Sequence, residues 1–193
     1  MAENKKLDGD KMLQAEFNYI ANTAFQANED RSRVISFYFV STASLVAAIL
    51  SAQFSSQQTQ SVSLGFALLF AVLTLLGALT LAQLARLRSA WHESAQAMNQ
   101  IKNYYIELNP PIAAAFKWRM EQIPPTDKPY SIANIMALEV TLLGGVTAGA
   151  MMYYVFQAAG EVTLLGWLFA AAAAFAGGYA LWKWYKYLLV DNQ

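Results

Sequence analysis

The sequence predicts an all-α, polytopic membrane protein: four transmembrane helices in two hairpins, both termini cytoplasmic, with a cytoplasmic helical subdomain. Two observations predict it. Four continuously apolar stretches, Val34 to Gln53, Val62 to Leu84, Ala137 to Phe156 and Val162 to Lys183, each have about the twenty residues a helix needs to cross the hydrocarbon core. All 13 Lys and Arg residues lie outside the two connections within the hairpins. The first connection, Phe54 to Ser61, carries no charge, and the second, Gln157 to Glu161, carries a single acid. The cations cluster instead at Lys5 to Arg33, Arg86 to Lys128 and Lys183 to Lys186, the asymmetry expected of cytoplasmic segments. The chain therefore reads as residues 1–33 (amphipathic helix), 34–84 (first hairpin), 85–131 (cytoplasmic helices and loop), 132–187 (second hairpin) and 188–193 (tail).

Composition narrows the class further. Of 193 residues, 56% are apolar, and they are concentrated in the four spans rather than spread at helical period. Runs that are continuously apolar, not alternating, exclude a β-barrel. The first 33 residues contain no apolar h-region, so no cleavable signal peptide is expected and span one serves as its own insertion signal. The absence of Cys removes disulfides, thiolate catalysis, iron–sulfur clusters and Cys-bound zinc.

The polar segments read as helical. Leu13, Phe17, Ile20, Ala24 and Ala27 are spaced four and three apart, one face of an amphipathic helix running through Glu29 to Arg33 into span one. Leu87, Trp91, Ser94, Met98, Ile101, Tyr105 and Leu108 repeat the spacing over three heptads, a coiled-coil-like seam with one polar position at Ser94. This helix continues span two into the cytoplasm by about 35 Å. Asn109 is the expected N-cap of a third helix, with Pro111 in its first turn and Ile112, Phe116, Met120 and Ile123 on one face. Residues 123–130, rich in proline, are expected to form an exposed, protease-sensitive loop. The seam residues Leu87, Trp91, Met98, Ile101 and Tyr105 are candidates for packing beneath the membrane or for docking a cytoplasmic protein partner.

Within the spans, Gly166, Ala170, Ala174 and Gly178 recur four apart in span four, and Gly145 and Gly149 do so in span three. Small residues in a row let two helix backbones approach closely. They close the bundle or form a homo-oligomer interface. Span one contributes Ser44, Ala48 and Ala52 in the same manner, and its Ser36, Ser41, Ser44 and Ser51 are the lining candidate if several copies form a pore. Phe37-Tyr38-Phe39, Tyr153-Tyr154 and the aromatic–lysine run Trp182 to Tyr187 are expected at the headgroup levels. Glu139, about one turn into span three, is the one intramembrane acid.

The remaining chemistry is sparse. His92 is the only histidine, and no phosphate-cradling loop, dinucleotide fingerprint or His-Glu-x-x-His is present. The expected protein is thus not an enzyme and takes no cofactor or metal. Arg86, Arg88 and Lys102 are too few for nucleic acid, and the expected partners are the lipid bilayer and further copies of the chain. Pro is absent from all four spans, which weighs against a carrier built on broken helices.

Residues 11–108 carry one family resemblance. An amphipathic helix leads through Asp30-Arg31-Ser32-Arg33 into two spans, and a long helix follows with Arg86-Leu-Arg-Ser-Ala-Trp91, Ala95 and Tyr104-Tyr105. This order resembles the SLATT family, small prokaryotic membrane proteins proposed as membrane-perturbing effectors in nucleotide-signalled antiviral defence. That family has two spans; residues 132–187 add a second hairpin. The resemblance implies an oligomeric, pore-forming effector or sensor in a bacterial inner membrane. A scaffold or accessory subunit that binds a soluble partner is the second expectation, and a small transporter the third.

Overall fold

The computed structural model describes residues 8–55, 59–116, 118–160 and 162–190, with backbone alone at 53–55. Lys5, Lys6, Lys117, Glu161, residues 56–58 of the first connection and residues 191–193 of the tail lie outside the described residues. Among those described there is no strand. Four α-helices dominate: α1 (Gly9–Ser55), α2 (Gln60–Leu108), α3 (Ile132–Ala159) and α4 (Leu164–Val190). All four are long and apolar enough to cross a membrane. In α1 and α2 the amphipathic and apolar stretches share one unbroken helix, because no Pro or Gly interrupts the join at residues 31–34 or 84–87.

Contacts divide the chain into two compact units: Met1–Asp30 with Leu87–Thr126, and Arg31–Arg86 with Asp127–Gln193. In the first, the amphipathic face of α1 is buried as its spacing predicts, fully at Ile20, Ala24 and Ala27 and partly at Leu13 and Phe17. The third helix does not form. Two short 3-10 turns, Pro110–Ala115 and Met120–Gln122, take its place, with extended backbone at Phe116 and Arg119. Two prolines at the start remove hydrogen-bond donors, and Pro124 disfavours helical backbone at Ile123. A dozen residues between such breakers fall short of what an isolated helix needs. Asn109 takes the N-cap position, yet its side chain makes no capping bond.

In the second unit all four helices contribute to one cluster, with Ile35 and Tyr38 of α1, Leu81 and Leu84 of α2, Val140 of α3 and Tyr185 of α4. A smaller cluster joins α1, α2 and α3 through Ile49, Phe70, Leu73 and Tyr154. Helix α3 is central: 44% of its most apolar window is buried, against 17% for α4. Its ends are well defined. Ser131 accepts a hydrogen bond from the Asn134 amide at 3.3 Å as N-cap, and Gly160 at φ 146° ends the helix in a backbone region open to glycine.

Candidate functional site

The small-residue stripes of the second hairpin face each other. A Cβ built on Gly145 would lie 2.8 Å from the Ala174 carbonyl oxygen and 3.1 Å from Gly178 Cα. One built on Gly149 would lie 2.8 Å from both the Ala170 oxygen and Ala174 Cβ. Helices α3 and α4 therefore touch backbone to backbone along this seam within a single chain, with Ala170 buried in it. Gly166 sits further along α4, beside Val162 and Phe156. Glu139 is exposed on the second turn of α3.

A tighter notch lies where α1, α2 and α3 meet. Tyr38 is 2% exposed, and its hydroxyl occupies the space a Cβ on Gly77 would take, at 2.8 Å. Gly144 of α3 adjoins it, its own Cβ position 3.8 Å from the same oxygen. Nearby, Thr74 and Thr147 hydrogen-bond across α2 and α3 at 2.9 Å, and the Thr147 hydroxyl donates to the Gly144 oxygen at 2.9 Å. The aromatic belts are corrected accordingly. Phe37 is exposed, whereas Tyr38 is core; Tyr154 is buried between Phe66 and Phe70, and Tyr185 is 1% exposed. Only Phe37, Lys183, Trp184 and Tyr187 of these runs face outward in full. For Tyr38, the glycines opposite the ring, Gly77 and Gly144, are remote in sequence and leave the space it fills.

The outward faces of α1 and α4 differ in chemistry. On α4, Leu164, Leu165, Leu168, Phe169, Phe175 and Tyr179 are exposed, a bulky apolar surface. On α1, the exposed face runs through Ser36, Phe37, Val40, Ala43, Ser44, Ala47, Ala48, Leu50 and Ser51, small or hydroxylated at six of these nine positions. Of the four serines read as a lining, Ser41 alone is half-buried. Where α2 begins and α3 ends, a cavity of about 730 Å³ is lined by Thr59, Gln60, Ser63, Tyr153 and Gln157.

In the first unit the seam positions Leu87, Trp91, Met98, Ile101 and Tyr105 are all half-buried. Ser94 is buried, its hydroxyl donating to the Ala90 oxygen at 2.8 Å, a bond internal to the helix. Leu13, Phe17, Ile101 and Phe116 line a cleft of about 480 Å³, together with Asp10 and Lys102. Tyr105 donates to the Asp10 carboxylate at 3.3 Å. Lost hydration first, and then Asp10, hold the Tyr105 phenol above its ordinary value.

Sequence reasoning missed the residue that organises this unit. Arg88 is 6% exposed, stacks on Trp91 with its guanidinium carbon 4.8 Å from the ring centroid, and donates to two backbone oxygens, Pro125 and Thr126, each at 3.2 Å. Thr126 is buried beneath it, so the proline-rich loop is pinned at its centre and exposed at Asp127 to Tyr130. An Arg one residue past a seam position carries no signal of this in the sequence. His92, one turn along, is held below its ordinary value by burial first and by the Arg88 charge second, with Glu93 opposing. Asn99 is buried too, donating to the Ala95 oxygen at 2.8 Å while its side-chain oxygen has no partner.

No protein-family model, curated protein or solved structure matches the chain. Among the described residues, no group of three or more His, Cys, Asp or Glu is placed to hold a metal ion.

Proposed function

We propose that the chain is a non-enzymatic, homo-oligomeric integral membrane effector or sensor of a prokaryotic inner membrane, multi-pass with both termini cytoplasmic. Its unit of residues 1–30 and 87–126 serves as the cytoplasmic sensing module. The outward face of α1 carries this reading. A helix that meets only lipid gains most from bulky aliphatic side chains, as α4 has. A face on which Ser36, Ala43, Ser44, Ala47, Ala48 and Ser51 stand among only three bulky residues, Phe37, Val40 and Leu50, instead suits close approach of another helix and hydrogen bonds across it. The glycine stripes of α3 and α4 are occupied by each other, which leaves α1 as the face for a second copy. Several such faces around an axis would give a hydroxyl-lined path, in keeping with the SLATT resemblance of residues 11–108.

The test uses the chain's lack of cysteine. Ser44→Cys should crosslink between copies in membranes, and native mass spectrometry in nanodiscs should find a discrete tetramer or larger ring. Ala47→Leu should abolish both, along with any conductance in planar bilayers. A monomer that never crosslinks through α1 would sink this reading.

That outcome would favour an accessory or scaffold subunit that docks a soluble partner through the first unit. The observation on its side is the apolar surface left exposed there, Met12, Tyr19 and Phe25 among it. Capture of one specific partner, lost when Trp91 and Ile101 are both changed to Asp, would establish it.

A further inference from the structure

Residues 110–116 and 118–126 differ from everything around them in how they are held. Their backbone hydrogen bonds close within the segment or with its edge: Ile112 to Asn109, Phe116 to Ala113, Gln122 to Arg119 and Ile123 to Met120. Arg119 adds a bond from its guanidinium to the Ala113 oxygen at 2.9 Å. None of these breaks if the segment moves as a body. Neither 3-10 turn contains a buried residue, so little apolar surface resists such a move. The middle of the segment spans a cleft, with Phe116 facing Leu13, Phe17 and Ile101 across about 480 Å³.

What ties it to α2 is charge-assisted. Lys102 donates to the Trp118 oxygen at 3.2 Å from an exposed position, and Arg88 donates to the Pro125 and Thr126 oxygens from a buried one. Both cations stand on α2, fourteen residues or about four turns apart. The two anchors are unequal: an exposed ammonium bond contributes little, whereas a buried guanidinium on two carbonyls contributes substantially.

We propose that residues 110–116 and 118–126, joined by the Arg119 bond to the Ala113 oxygen, form a strap latched onto α2 by Arg88 and Lys102, which lifts as a unit and uncovers Ile101 and its neighbours while α1 and α2 stay paired. Lifting detaches the middle first and the Arg88 end last. Local opening of this kind breaks the latch bonds, the Phe116 contacts and the burial of Thr126, while the packing of α1 on α2 within the unit is kept. The inference stands apart from the oligomeric reading, since it concerns one chain.

Hydrogen exchange and limited trypsin digestion of the full chain in nanodiscs test it together. Trypsin reports through Lys117 and Arg119, because Lys128 is followed by Pro129. Strap amides should exchange at least roughly tenfold faster than those of α2 residues 95–105. Arg88→Gln should speed cleavage in the strap roughly tenfold, and Lys102→Gln by about threefold, with α2 protection unchanged in both. Strap and α2 exchanging at one common rate would overturn the proposal. So would an Arg88→Gln protein cleaved at the wild-type rate, or one in which α2 loses its protection along with the strap.

Discussion

At the scale of single residues, burial rather than charge count decides what the few ionisable groups do. Arg88 is one of 13 cations, yet its place over Trp91, with Thr126 buried beneath it, makes it the anchor of the first unit. A buried guanidinium is costly unless its donors are used, and here its Nε and Nη2 both meet backbone oxygens. His92 reports on that environment. Its imidazole should titrate below 6.5 by NMR, shifting upward in Arg88→Gln and downward in Glu93→Gln. The sign for stability follows. With the folded value lowered, the unfolded chain binds more protons just below pH 6.5, so His92's contribution is complete above that pH and is lost as pH falls. The effect is small, because the ring is partly exposed. A His92 midpoint at or above 6.5 would contradict the placement of Arg88 beside it.

At the scale of elements, the helix pair α3–α4 rests on backbone contact. Gly149→Ala pushes a methyl to 2.8 Å from the Ala170 oxygen, which cannot rotate away. It should cost about 1–3 kcal/mol in detergent unfolding. Gly65→Ala meets no atom within 4 Å and removes a flexible residue from α2, so it should be neutral or stabilising by up to about 1 kcal/mol. Equal effects of the two would deny the α3–α4 seam.

Much at this scale was legible in the sequence. The apolar runs and the four-three spacing of Leu13, Phe17, Ile20, Ala24 and Ala27 are local patterns, and local patterns fix helices. What escaped was decided at a distance. Tyr38 and Phe37 carry the same local signature, and only Gly77, some forty residues on, admits the Tyr38 ring to the core. The four-three spacing of Ile112, Phe116, Met120 and Ile123 mimicked a helix, but prolines at both ends left too few residues to propagate one.

At the scale of the whole molecule, the chain combines four helices long and apolar enough to cross a membrane with a first unit that the proposed topology puts on the cytoplasmic side. The charge asymmetry is what supports that proposed orientation. Among the described residues Glu139 is exposed on α3, and the buried polar residues of the second unit are Arg31 with Ser63 and the threonines Thr42, Thr80, Thr141 and Thr147. The proposed function rests at this scale on assembly and on the first unit. Assembly predicts that Ser44→Leu, bulky in the middle of the small face of α1, lowers the oligomer to monomer while leaving the unfolding midpoint of the chain nearly unchanged. Size-exclusion with light scattering checks the first half and thermal unfolding the second.

The arrangement of the helices across the bilayer is the premise for all of this, and single-cysteine labelling in intact bacterial cells tests it most directly. Thr59→Cys and Thr163→Cys, at the two hairpin turns, should react with a membrane-impermeant maleimide from outside. Glu16→Cys and Asp127→Cys should react only after permeabilisation. Reaction of Glu16→Cys or Asp127→Cys in intact cells, or of all four positions only after permeabilisation, would contradict the account.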